Sequence, residues 1–130
     1  MELYTVQLGQ WRLCKTLSIP MIDTTVRSGD LTFAPTWEMV LASKGGTLSQ
    51  EDYTEQYLAR MRVSLKQNEA RWLEVARLEC CALACYYKAG AFCHRRILAQ
   101  LFEKVCLHHD IPYVFKGELT KKTLECTDHG

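Results

Sequence analysis

Apolar or β-favouring residues occupy nearly every position of Leu3-Tyr4-Thr5-Val6-Gln7-Leu8, and Gly9 then ends the run, which predicts a first strand. Residues 11–17 fit neither period cleanly. A second strand is expected from Ile19 to Val26, with Pro20 near its start and the turn Arg27-Ser28-Gly29-Asp30 at its end. Phe33-Ala34-Pro35 breaks any regular pattern. Thr36 can then cap a short helix from Trp37 to Ser43, which Lys44-Gly45-Gly46 stops. Ser49 with Asp52 makes a weak capping box, and Tyr57, Leu58, Met61 and Leu65 recur at helical spacing, predicting a helix from about Gln50 to Lys66. Trp72, Leu73 and Ala76 mark another short amphipathic helix. Cys80 to Tyr87 is apolar throughout and lacks the alternation of a half-exposed strand, so it reads as a central strand buried on both faces. Ile97, Leu98, Leu101, Phe102 and Val105 share one helical face that runs to about His108, and Ile111-Pro112-Tyr113-Val114-Phe115 reads as the last strand.

Strands separated by helices call for crossover connections and a mostly parallel sheet covered on both faces. The expected fold is a small Rossmann-like three-layer α/β domain of about four strands, with the first and third adjacent at the centre. It should occupy residues 1–119, followed by a polar tail over 120–130. Hydrophobic residues make up 48% of the 130, enough for a real core. Sixteen Lys and Arg against fifteen Asp and Glu give a net charge of +1, which suits a small ligand better than nucleic acid. No run of about 18 apolar residues occurs, so no membrane span is expected. The seven cysteines are odd in number, and Cys80 and Cys81 adjoin, a poor disulfide framework. Most should be free thiols, in keeping with a cytoplasmic location.

Ligands of open parallel sheets sit beyond the carboxyl ends of the strands. Three such ends bring polar residues: Asp23 to Arg27 after the second strand, Cys85 to His94 after the third, and Lys116 to Glu118 after the fourth. The most informative stretch, Cys85 to Arg96, reads as a strand end, a glycine-containing loop and the first turn of a helix. The free N–H groups of such a turn favour an anion, and the same field, helped by Arg95 or Arg96, would lower the pKa of Cys93. Cys93 is then a candidate nucleophile and His94 a candidate proton carrier, with Asp23, Thr25, Arg27, Cys85, Arg95 and Glu118 as ligand-binding candidates. The plainer alternative has Cys93 packed inward, His94 satisfying a backbone group and the arginines on a solvated face. Asp23 has a similar alternative as the organiser of its turn. Trp37 and Lys44 are possible lids, with a core anchor the simpler role for Trp37, and the pair Tyr53 and Tyr57 reads as core.

Cys85, Cys93 and His94 are of the residue types that bind zinc, but no second closely spaced pair follows. The remaining candidates, Cys106, His108 and His109, lie at the far end of the same helix, more than about 15 Å away at ~1.5 Å per residue. No metal and no cofactor is therefore expected. The arginine that closes the anion cradle of a phosphatase-type loop would fall at Ala91, and no glycine-rich nucleotide loop occurs.

As a set, Asp23-x-Thr25-Val26-x-Ser28-Gly29, Phe33-Ala34-Pro35-x-Trp37, Lys44-x-Gly46, Tyr53-Thr54-x-x-Tyr57, Met61-Arg62-x-Ser64, Cys85-Tyr86, Gly90-x-Phe92-Cys93-His94-Arg95 and Gly117-Glu118 resemble the domain-of-unknown-function family 488, in a short form common in phages and bacteria. The resemblance spans roughly Leu3 to Leu119. It implies a Rossmann-like fold and singles out Cys93, His94 and Arg95, but it carries no activity. Tyr87 stands where many relatives place Cys, Glu or another polar residue.

Three functions fit these readings. One is the binding of a small anionic, nucleotide-like ligand around Cys93-His94-Arg95. Another is a cysteine-dependent enzyme of nucleotide or nucleic-acid metabolism, with Cys93 as nucleophile, His94 or Glu118 carrying the proton and Asp23 positioning the substrate. The third is a phage-type accessory protein that grips a host protein through an exposed apolar patch.

Overall fold

The computed structural model describes residues 1–87 and 92–122. The elements along the chain are β1 (Glu2–Gln7), a 3-10 turn (Leu8–Gln10), α1 (Trp11–Leu17), β2 (Met21–Asp23), α2 (Trp37–Lys44), α3 (Gln50–Gln67), α4 (Glu69–Ala76), β3 (Cys80–Cys85), α5 (His94–His108) and β4 (Val114–Leu119). Among the described residues the four strands form one sheet in the order β2-β3-β1-β4, every neighbouring pair parallel. β1 and β3 lie side by side at its centre, as expected, with β3 buried as its lack of alternation predicts, and the protein is a small three-layer α/β domain.

Side chains alternate across the sheet. Leu3 on β1 and Cys81 and Leu83 on β3 join the larger core, under α2 to α5, where Phe33, Trp72 and Phe102 meet ring to ring at 5.0–5.6 Å. Val6, Ala82, Ala84 and Leu119 face the other way, against Cys14 of α1 and Ile19. Residues 11–17, indecisive as a pattern, form a helix on that side because Leu13 and Cys14 give it a narrow buried stripe.

Two strand predictions need correction. The second strand is expected over Ile19 to Val26, but the ladder holds only Met21–Asp23. The Asp23 carboxylate accepts hydrogen bonds from the Thr25 N–H at 2.9 Å and from the Thr25 and Ser28 hydroxyls at 2.8 and 2.7 Å, which folds the chain away from the sheet. Gly29 closes this turn, and a Cβ there would lie 2.4 Å from the Asp23 carbonyl oxygen, so glycine is required by close approach. The last strand is expected over Ile111 to Phe115 but runs Val114–Leu119. Pro112 has no N–H to give, and pairing begins where Val114 N–H donates to the Met1 carbonyl at 2.9 Å. Lys116 to Glu118 therefore lie inside β4 and not after it, with a register shift opposite Leu3/Tyr4 and Gly117 at φ 92°.

Helix α3 also straps down the segment that leads into α2. Tyr57, Arg60 and Ser64 follow one another along one side of it. The Tyr57 hydroxyl donates to the Phe33 carbonyl at 2.6 Å, Arg60 Nε to the Ala34 carbonyl at 2.8 Å and the Ser64 hydroxyl to the Thr32 carbonyl at 2.5 Å. Trp72 Nε1 in turn donates to Ser64 Oγ at 3.2 Å. Three consecutive carbonyls that no helix or sheet satisfies are thus held by side chains. Among the described residues no helix is long and apolar enough to cross a membrane. Residues 88–91, read from sequence as the loop after β3, and most of the expected tail, 123–130, lie outside the described residues.

Candidate functional site

The carboxyl ends of β2 and β3 and the start of α5 converge. Cys93 is the residue before the first turn of α5 and makes no side-chain capping bond; its sulfur points inward and is joined to that of Cys85, the last residue of β3, at 2.23 Å. Cys14, Cys80, Cys81 and Cys106 are free, in line with the expectation that most thiols are unbridged.

His94 is buried beside them. Its Nε2 lies 3.0 Å from the Thr24 carbonyl oxygen and 2.8 Å from Thr24 Oγ1, while that hydroxyl donates to the Ala84 carbonyl at 2.8 Å. A carbonyl can only accept, so Nε2 carries the proton of the neutral ring and Nδ1 turns its lone pair towards Cys93 Sγ, 3.5 Å away. Burial, reinforced by neighbouring Arg95, pushes the ring's pKa down to about 4 against the opposing pull of the Thr24 carbonyl. The imidazole is therefore neutral at physiological pH.

Arg95 does not turn outward to close an anion cradle. It shares the buried stripe of α5 with Leu98 and Phe102, and its side chain is buried with them. Nε and Nη2 donate to the two Glu118 carboxylate oxygens, each at 3.1 Å, and Nη1 donates to Cys85 Sγ at 2.6 Å. Thr5 on β1, opposite Glu118 in register, donates to the same carboxylate at 2.6 Å. Two sequence-based roles change as a result. Arg95 serves Glu118 and a sulfur inside the protein, and Glu118 is an internal counter-ion within β4, not a loop residue at a cleft mouth. Asp23 likewise spends its carboxylate on its own turn. Arg96 is the exposed arginine of that first turn.

Beside this cluster lies a cleft of about 330 Å³. Thr25, Val26 and Arg27 from the turn after β2 form one wall, and Pro35, Trp37, Val40 and Lys44, on and before α2, form another. Tyr53, Tyr86 and Tyr87 add aromatic surface, and Cys85 and His94 reach it from below. Cys93, 3% exposed, is not among the lining residues. The described lining contains two cations, Arg27 and Lys44, and no carboxylate. Lys44 Nζ sits 6.0 Å from the centre of the Tyr87 ring. Trp37, whose simpler role from sequence is a core anchor, stands 49% exposed at this rim, because the first turn of α2 turns Met39 and not Trp37 to the core. Tyr57 is core as expected, while Tyr53 is buried yet touches the cleft.

The structure thus brings Thr25, Arg27, Cys85 and His94 to one cleft and keeps Asp23, Arg95 and Glu118 behind its walls. Sequence reasoning missed Tyr86 as a wall residue, although it adjoins Cys85 at the end of an otherwise apolar run. Set against models of known families, curated proteins and solved structures, the chain matches none of them.

Proposed function

We propose that the protein binds a small anionic ligand of the mononucleotide class in the cleft beyond β2 and β3. The observation that carries this reading is the lining itself, two cationic side chains facing aromatic walls with no opposing carboxylate among the described residues. Arg27 and Lys44 would meet the anion by charge-assisted hydrogen bonds, and Trp37, Tyr86 and Tyr87 offer faces on which a flat ring stacks. A volume of about 330 Å³ is at the small end for ligand sites, which favours one nucleotide over a dinucleotide. The motifs resembling family 488 agree with such a cleft, since several of them contribute to it, but they name no ligand.

Titration with nucleoside monophosphates, followed by tryptophan fluorescence, tests this. Saturable quenching that disappears in Trp37→Phe is expected, and Arg27→Ala with Lys44→Ala should weaken binding roughly ten- to hundredfold, the scale of one or two lost charged hydrogen bonds. Quenching that is unaffected by both charge removals sinks the reading.

A second reading, a cysteine-dependent enzyme, has one observation in its favour: the reduced pair would hold the Cys85 sulfur under Arg95 and the Cys93 sulfur beside a neutral imidazole nitrogen. In that case Cys85, which touches the cleft, is the better nucleophile than Cys93.

A further inference from the structure

The same corner of the molecule holds a chemistry that the anion cleft does not use. Cys85 Sγ, Cys93 Sγ and a ring nitrogen of His94 all lie within 4.8 Å of one another, and all three residues are buried. We propose that the reduced protein binds one zinc-class divalent ion through Cys85, Cys93 and His94 Nδ1, with the fourth coordination position directed to the cleft.

Four features carry this. The first is ligand spacing. In a tetrahedral site with Zn–S and Zn–N bonds of about 2.3 and 2.05 Å, sulfur and nitrogen ligands stand about 3.6 Å apart. Cys93 Sγ and His94 Nδ1 are 3.5 Å apart. The second is the tautomer. The two Thr24 acceptors fix the proton on Nε2 and leave Nδ1 as the donor atom, the arrangement in which outer partners orient ligating histidines. The third is charge. Two thiolates on one divalent ion leave the centre neutral, and the Arg95 guanidinium against Cys85 Sγ is itself balanced by Glu118, so the buried assembly carries no net excess. The fourth is access. Cys85 and His94 line the cleft while Cys93 lies behind, so among the described residues an ion between them is open on the cleft side, as in sites that keep a position for water or a substrate.

The spacing of Cys85 and Cys93 along the chain argues against a finger-type zinc motif, yet it does not exclude a site that the fold assembles. Strand β3 brings the first sulfur, and the start of α5 brings the second with the imidazole. Their Cα atoms are 7.5 Å apart, beyond the roughly 4.4–6.8 Å usual for a disulfide and comfortable for two thiolates held about 3.8 Å apart across an ion. The bridged form has no thiolate to give. A phosphine or dithiol reductant supplies the two electrons that split the S–S bond, each sulfur takes up one proton, and zinc binding releases those two protons while leaving the metal divalent.

The test uses the full chain, reduced with tris(2-carboxyethyl)phosphine and then mixed with zinc chloride. Iodoacetamide labelling read by peptide mass spectrometry should show Cys85 and Cys93 protected by roughly tenfold or more, because a lone pair given to the ion is withdrawn from attack. Cys80, partly exposed and on the far end of β3, should label at an unchanged rate and serves as the internal control. Cobalt(II) should give one set of tetrahedral d–d bands with thiolate charge transfer per chain, lost in Cys85→Ser and His94→Gln. Thr24→Val should lower zinc affinity by about tenfold, the usual effect of removing an outer hydrogen-bond partner. Magnesium, which prefers oxygen ligands, should protect nothing. Absence of the tetrahedral cobalt bands in the reduced wild-type protein, or protection that is equal at Cys80, overturns the proposal, and neither result depends on a variant folding. The inference does not rest on the nucleotide reading, whose test involves Arg27 and Lys44 and no thiol.

Discussion

Two buried regions lie against the same face of the sheet and are built on opposite principles. Midway along it, Phe33, Trp72 and Phe102 fill space with rings and hardly use directional bonds, apart from the single Trp72 Nε1 donation to Ser64. At the carboxyl end of β3, a comparable depth is occupied by Arg95, Glu118, Thr5, His94, Thr24 and two sulfurs, tied by bonds of defined length and direction. No buried side-chain nitrogen or oxygen among the described residues lacks a partner. Apolar packing tolerates a change of shape at modest cost, whereas a polar network fails when a single member is lost. Stability comes from the first region, and the positions of reactive atoms come from the second.

The sharpest way to break the contrast is Glu118→Ala. It removes the carboxylate that neutralises the buried Arg95 guanidinium, whose side chain is 2% exposed, and should cost about 3–5 kcal/mol in urea denaturation. The double change Arg95→Met with Glu118→Leu should recover most of that loss while abolishing the contact to Cys85, since an apolar pair can replace a buried ion pair at little net cost. If the double variant is as unstable as the single one, the network is structural in its own right. In the aromatic region, Phe102→Ala should cost about 3–5 kcal/mol, but Phe102→Leu only about 1–1.5 kcal/mol, by the same denaturation measurement. Gly29→Ala should come next at about 1–3 kcal/mol, because its methyl group meets the Asp23 backbone, and it should also weaken ligand binding by moving Thr25 and Arg27.

The smallest effect concerns a pair outside both regions. Asp30 is partly buried, which alone would raise its pKa, but the Arg71 side chain and the Thr32 hydrogen bonds prevail and hold it below its ordinary 3.8. A depressed carboxyl favours the folded state above the unfolded pKa and loses that contribution as pH falls through the folded one. Asp30→Asn should therefore be less stable than wild type by no more than about 1 kcal/mol at neutral pH, and the gap should close below pH 3.8. A gap independent of pH would assign the effect to packing.

Much of the frame was legible in the chain because it depends on periodicity. The uninterrupted apolar run of β3 marked a central strand, the apolar and β-favouring residues of β1 marked a first one, and Tyr57, Met61 and Leu65 marked the long helix α3. What sequence could not reveal depends on which way one residue faces at an element's end. Arg95 reads as a surface cation by its type, yet it shares the inward stripe of Leu98 and Phe102, and Glu118 three-dimensionally opposite makes that burial affordable. Cys85, Cys93 and His94 read as a poor metal set because no second closely spaced pair follows them in the chain, and only the fold shows that the end of β3 and the start of α5 bring the three within 4.8 Å of one another. Trp37 read as core by its size and stands at the cleft because Met39, two positions on, takes the inward place.

The strap from α3 bears on how the cleft moves. Tyr57, Arg60 and Ser64 hold the carbonyls of Phe33, Ala34 and Thr32 across separations of 24, 26 and 32 residues. The wall that carries Pro35, Trp37 and Lys44 is therefore assembled only when α3 docks, which makes the cleft a late product of folding with high contact order. In the native protein that wall cannot swing as an independent lid, since displacing it would break three bonds anchored in the longest helix. Its amides should exchange with solvent together with those of α3, as one cooperative unit, and the proposed ligand would enter a mouth that is already shaped.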